Sequence, residues 1–169
     1  MTAPTDTAEQ TRDVTAFRAA MAHMPTFVTV VSTQTGEGPT GCTANAVLSL
    51  SLEPPSLVVS LASSSRTVHR IRHGGGFSVS LLSWEQRDLT QRFARGRPDE
   101  RFAGVPHTYQ EGQPVLSDAA AGFVCRVESC QEMWDHTLVV GQVLHSTHHR
   151  ERVPVVYHGH AQHPCPPGG

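Results

Sequence analysis

The spacing of apolar residues changes at Pro25, and that change decides what this chain can build. Before it, Val14, Phe17, Met21 and Met24 recur at the three-and-four interval of one helical face, with Asp13 placed to cap the helix and Pro25 to stop it. After it the interval is two. Phe27-Val28-Thr29-Val30-Val31 reads as a strand, Gly36-Glu37-Gly38-Pro39 as a turn, and Gly41 to Leu52 as a second extended stretch. Within that stretch Leu48, Leu50 and Leu52 alternate with Ser49 and Ser51, which predicts one dry side and one side carrying hydroxyls.

Glu53-Pro54-Pro55 breaks the pattern, and Ser56 to Ala62 starts another strand. Ser63-Ser64-Ser65 leads into a short helix from about Thr67 to His73, ended by Gly74-Gly75-Gly76. Phe77 to Leu82 is the next strand, and Ser83 with Gln86 forms a capping-box pattern before a helix edged by Leu89 and Phe93. Residues 96 to 118 read as a long loop. Strands follow near Ala121 to Met133, His136 to Ser146 and Val153 to Tyr157. Many short strands without βαβ alternation predict a mostly β fold with flanking helices, an antiparallel barrel, because closing the sheet removes its exposed edges. The 169 residues suit one domain, expected over 13–163, with a mobile polar leader over 1–12 and a Pro/Gly tail over 164–169.

Composition narrows the function. A formal net charge of −2 offers no electrostatic footprint for nucleic acid or an anionic membrane. No apolar run approaches the roughly 20 residues of a membrane-spanning helix. The first sixteen residues lack the apolar core of a secretory signal, so a soluble cytoplasmic protein is expected. Cys42, Cys125, Cys130 and Cys165 contain no C-x-x-C pair, and Cys125 and Cys130, five apart, are expected on opposite faces of one strand. They read as small apolar residues, without a disulfide framework or a zinc ribbon.

Three groups of residues could carry chemistry. Ser63-Ser64-Ser65-Arg66-Thr67 puts hydroxyls, a guanidinium and unpaired N–H groups where a helix begins, which is either a phosphate cradle or a solvated loop with a capping serine. Thr43-Ala44-Asn45 sets Thr43 and Asn45 on one side of a strand with space behind Ala44, and an amide can match the alternating edge of a pyrimidine-like ring; a turn asparagine is the plainer account. Asp135 beside His136 can orient the imidazole, or His136 is simply a surface residue at a strand start. Two weaker features are the C-terminal histidines and the arginines. His158 and His160 are expected on one strand face with His163 nearby, a conceivable metal site. Five arginines from Arg87 to Arg101 could meet a pyrophosphate or form a solvated, ion-paired face.

Read in order, Phe17-Arg18-x-x-Met21, Gly41-x-Thr43-Ala44-Asn45-Ala46, Ser49-Leu50-Ser51-Leu52-Glu53-Pro54-Pro55, Ser64-Ser65-x-Thr67, Arg101-Phe102-x-Gly104 and Asp135-His136-Thr137 resemble the flavin reductase family. The resemblance implies an FMN-binding split barrel, usually a homodimer, using FMN or FAD with NADH or NADPH and supplying reduced flavin to a two-component monooxygenase. It implies that Thr43, Ala44, Asn45 and Ser49 hold the isoalloxazine and ribityl chain, that Ala62, Ser63, Ser64, Ser65 and Thr67 take the phosphate, and that His136 lies beside the nicotinamide. No metal ligand is expected. The family usually has glycine before the Asp-His pair where this chain has Trp134, and often Gly-x-Tyr where it has Gly159-His160-Ala161. Trp134 is therefore expected to narrow the nicotinamide side or to shield the flavin. The alternatives are a split-barrel flavoprotein that oxidises or oxygenates its own substrate, a non-catalytic binding protein, and a metal-binding module built on the histidines.

Overall fold

The computed structural model describes residues 14–165, so the leader, the Asp13 cap and residues 166–169 lie outside the described residues. The elements are α1 (Val14–Met21), β1 (Thr26–Phe27), β2 (Thr29–Thr35), β3 (Gly38–Ala44), β4 (Val47–Leu52), β5 (Pro55–Ala62), α2 (Arg66–Gly74) and β6 (Gly76–Leu81). A single 3-10 turn over Trp84–Gln86 precedes α3 (Leu89–Arg95), followed by β7 (His107–Gln110), β8 (Gln113–Leu116), β9 (Ala121–Met133), β10 (His136–His148), β11 (Val155–His158) and β12 (Ala161–Pro164).

The main sheet has seven strands in the order β3-β2-β6-β9-β10-β5-β4, every pair antiparallel. It wraps round a core of Val31, Val59, Phe77, Val79, Cys125 and Val139, and the Val68–Ile71 face of α2 joins the same cluster. The edge strands β3 and β4 do not pair with each other, which is what makes the barrel split. A second cluster, with Leu82, Phe93, Phe102 and Val155, holds α3 against the outside of the sheet.

The alternation in β6 shows how sequence sets this packing. Phe77 and Val79 point into the barrel, while Ser78 and Ser80 are equally buried on the other face. A buried hydroxyl needs a partner. Ser78 donates to the Pro114 carbonyl and Ser80 accepts from the Leu116 N–H at 3.1 Å, so the β7–β8 hairpin lies over these serines and satisfies them. That hairpin occupies part of the segment 96–118 expected to be loop. Its two-residue connection, Glu111-Gly112, takes positive φ at both positions (47° and 76°), the conformation such short hairpins favour.

Four further expectations are corrected. The stretch from Gly41 to Leu52 is two strands on opposite edges of the sheet, because the chain turns at Asn45-Ala46. Leu48, Leu50 and Leu52 do not face the core; they are exposed, with a register shift between Ser49 and Ser51. Cys125 and Cys130 both face the core cluster, since a bulge between Val127 and Ser129 inserts one residue and restores the face. The chain does not end its regular structure at Tyr157: a strand, β12, begins after the Gly159-His160 turn and runs through Pro164.

Burial pushes the Cys125 thiol up to about 12. Only the thiolate reacts readily. Iodoacetamide at pH 8 is therefore expected to leave Cys125 unmodified in the folded protein and to modify it fully in denaturant, as peptide mass mapping would show. Rapid modification in the folded state would contradict the packing.

Candidate functional site

The polar part of the site forms where β5 hands over to α2. Ser65 caps the helix, its Oγ accepting the Thr67 N–H at 3.2 Å. Gly75 ends the helix at φ 70° and donates to Ile71 O, as a left-handed terminator should. Among the described residues the N–H groups of Ser64 and Arg66 find no acceptor, which leaves them at the positive end of the helix. A cleft of about 340 Å3 opens there, lined by Thr40, Cys42, Ser65, Arg66, Thr67 and Arg101 among others. Arg101 is fixed by donating to Gly41 O at 2.8 Å and to Gly96 O at 3.0 Å. Arg66 forms no ion pair among the described residues. Desolvation raises the Cys42 thiol above its ordinary range, although Thr67, Ser65 and Arg101 pull the other way, so an anion in this cleft meets no thiolate.

An apolar cleft of about 390 Å3 opens beyond the other end of β3. Pro25, Phe27, Val47, Val79 and Phe123 line it, and Thr26, Thr29 and Asn45 supply polar groups. Asn45 Nδ2 donates to Thr26 Oγ1 at 3.3 Å. Cys42 and Asn45 are three residues apart, so the two clefts are separated by roughly 10 Å of extended chain.

The third part is the tip between β9 and β10. His136 Nδ1 lies 2.9 Å from Asp135 Oδ1, and that hydrogen bond, with the imidazole's charge, holds the Asp135 carboxyl below its usual range. The tip is tied to the phosphate-type turn. His136 is paired with Ala62, Ser63 N–H donates to Asp135 O at 2.9 Å, and the Ser63 and Thr137 hydroxyls are 2.9 Å apart. Arg72 braces the same strands through Glu132 at 2.8 Å. Trp134 stands 93% exposed at φ 54°, so it neither narrows nor shields anything within this chain. Positive φ is the physical reason glycine suits this position.

The structure therefore gathers Ser65, Arg66 and Thr67 in one cleft, puts Asn45 in the other, and sets Ser63 against the His136 tip. Thr43 does not share a side with Asn45. Its hydroxyl donates to Thr90 O at 2.7 Å on α3, because β3 ends at Ala44, which is buried in the core. Ser49, Ala62 and Ser64 are exposed and line neither cleft. Residues the sequence reading missed are Cys42 and Thr40, whose alternate spacing on β3 could have flagged them, and Thr26 and Phe27, which only the tertiary fold brings to Asn45. Of the five arginines, Arg101 alone reaches the helix-end cleft, while Arg97 pairs with Asp99 and Glu100 on the surface. The histidine module is not supported. His160 occupies a turn at φ 64° instead of sharing a strand face with His158, and among the described residues no three His, Cys, Asp or Glu groups converge as metal ligands. Nor is any described helix long and apolar enough to cross a membrane.

Comparison with known proteins gives this geometry a context. An NADH-dependent FMN reductase of Streptomyces nodosus subsp. asukaensis is 40% identical over 152 residues, covering 85% of this chain and 80% of that protein. An NADH-dependent flavin reductase of Pseudomonas fluorescens is 40% identical over 132 residues, covering 78% and 76%. A Rhizobium meliloti relative, 41% identical over 133 residues, is longer: the match takes in 78% of this chain and 42% of that one. The solved flavin reductase of styrene monooxygenase from Pseudomonas putida S12 superposes with a TM-score of 0.81 at 35% identity, covering 89% of this chain and 97% of its own. Residues 21–165 match the family model described as the flavin reductase like domain, and with 145 of 169 positions inside that match the chain belongs to this family.

Proposed function

We propose that this chain is an NADH-dependent flavin reductase that passes reduced flavin to a partner monooxygenase in the cytoplasm. The observation that carries the reading is the pair of clefts along β3, a cationic one at the start of α2 and an apolar one at Asn45. A flavin mononucleotide has the same polarity, a phosphate at one end and a flat ring at the other. The relatives named for NADH-dependent FMN or flavin reduction support the same assignment.

Bound flavin supplies the electron-accepting chemistry and NADH the hydride. The chain's own task is to hold and orient. Ser65, Thr67 and Arg101, with the side chain and N–H group of Arg66, hold the phosphate. The walls of Val47, Val79 and Phe123 keep water from one side of the ring, and the Asn45 amide meets its polar edge. His136, oriented by Asp135, contacts the nicotinamide carboxamide and is not an obligatory base. The function needs a second copy of the chain, which covers α1, Phe27 and the outward leucines of β4 beside the apolar cleft.

Steady-state NADH oxidation with added FMN tests the reading, and the purified protein should accelerate it. His136→Ala is expected to raise the KM for NADH about tenfold, the equivalent of one lost contact of about 1.4 kcal/mol. Full activity with unchanged KM would remove His136 from the nicotinamide side. No acceleration with FMN, FAD or riboflavin would overturn the function.

A further inference from the structure

We propose that Arg72 is a positioning residue for the reaction: it holds the β9–β10 tip in a strained turn that keeps His136 in place, and so sets the affinity for NADH without touching it; this rests on the flavin-reductase reading and on the place of His136 in it.

The tip is a two-residue connection. Met133 pairs with His136, which leaves Trp134 and Asp135 as the turn. Turns of this length take glycine where the first of the two residues has positive φ. Here that residue is Trp134, at φ 54°. A bulky side chain in the left-handed region is strained, and such strain persists only where the surroundings over-determine the backbone. Trp134 does not supply that restraint itself, because it is 93% exposed.

The restraint comes from either side of the turn and converges on α2. Before the turn, Glu132 Oε1 accepts from Arg72 Nη1 at 2.8 Å. After it, the Thr137 hydroxyl lies 3.5 Å from Arg72 Nη2 and 2.9 Å from Ser63 Oγ. Glu132 and Thr137 are paired across the two strands, so one guanidinium spans the base of the hairpin just below the turn. A planar fork can reach both, where a single ammonium would not. Thr137 is fully buried, which anchors that end of the brace. Arg72 Nε is buried with no partner among the described residues, so one donor goes unused while the other two nitrogens meet the strands. The Ser63 N–H, donating to Asp135 O at 2.9 Å, ties the turn itself to the start of the α2 segment.

The consequence is a shift of population. NADH meets His136 only while the turn is formed, and an apparent affinity falls in proportion to the fraction of molecules in which it is formed. Without the brace the strain opens the turn. Without the strain the brace is dispensable.

The test uses Arg72→Gln, Trp134→Gly and their combination, with Glu132→Gln, whose side chain is 63% exposed, as a second way to break the brace without risk to the fold. Arg72→Gln should raise the KM for NADH about tenfold, with kcat at saturating NADH and the dissociation constant for flavin unchanged. Amide hydrogen exchange over residues 133–137 should quicken about tenfold in the same variant, while exchange over 138–143 stays as in the native chain. Glu132→Gln should move both readouts the same way by a smaller factor. Adding Trp134→Gly to Arg72→Gln should restore both, since glycine takes φ 54° without strain. Unchanged exchange at the tip in Arg72→Gln and Glu132→Gln would overturn the brace. Quickened exchange that Trp134→Gly does not restore would overturn the strain it is held to oppose, and quickened exchange with an unchanged KM would overturn its link to NADH. Exchange does not depend on turnover, so a native chain that oxidises no NADH with any flavin would overturn the flavin reading while the exchange still decides the brace.

Discussion

Phe77→Ala is expected to lower the free energy of unfolding by about 3–5 kcal/mol, among the largest effects any single truncation in this chain can have. Phe77 is completely buried on β6 and reaches across β9 to touch β10. Its ring fills the space above Gly141, where an added Cβ would lie 2.6 Å from the Phe77 ring and 2.7 Å from Cys125 Cβ. Gly141 lies opposite the one-residue bulge at Glu128 in β9, so the backbone and the ring have been fitted to each other. The converse substitution, Gly141→Ala, overfills the same place and should cost about 1–3 kcal/mol. The two are coupled. In a Phe77→Leu background, Gly141→Ala should cost measurably less, because the smaller side chain yields the volume that the new methyl needs. Urea unfolding of the four proteins of that cycle measures the coupling. Strictly additive losses would mean that the contact across β9 is not what stabilises the barrel.

The β9 bulge opposite Gly141 also shows where the sequence stops being legible. Period-two alternation located most strands, since apolar side chains must all turn to one interior. It could not reveal a one-residue insertion, which leaves the composition of the strand unchanged and flips every face beyond it. That is why Cys125 and Cys130 were assigned to opposite sides and why both face the core. The 107–116 hairpin escaped for a related reason. Its strands are four residues each, the first of them polar and the second carrying a proline, and the Glu111-Gly112 connection is a weaker signal than Asn-Gly or Asp-Gly. Of the candidate site, the Ser65 cap and the helix it starts were readable because capping is local chemistry. The apolar cleft was not, because Thr26, Asn45, Val79 and Phe123 come from four separate strands or turns and meet only once the sheet has curled.

The leucines of β4 were legible as an apolar stripe and misread as core, and their true position leads to the second large prediction. Val14, Phe17, Met21, Met24, Phe27, Leu48, Leu50 and Leu52 are between 42% and 87% exposed. Eight large apolar side chains at that exposure present on the order of 800 Å2, about what one partner contributes to a stable interface and more than the scattered apolar residues of a monomer explain. They fall beside one feature: Pro25 and Phe27, just after α1, and Val47, at the start of β4, all line the apolar cleft. A second copy seated on this face would bury the stripe and close the cleft from the open side at once. Phe17→Asp and Leu50→Asp should each weaken self-association about 100-fold, because each sets a charge in an apolar contact centre, a cost of about 2.7 kcal/mol or more. Neither side chain supports the core of its own subunit, so the monomers should keep their β-rich circular dichroism. Sedimentation of the native chain at micromolar concentration should give twice the chain mass of 18.3 kDa, and each variant a mass moving toward one chain with dilution. Flavin affinity should fall in step with dissociation, since a single copy leaves the ring side of the cleft open. A native protein that sediments as one chain, or a variant that stays fully dimeric, would show that this face has another purpose.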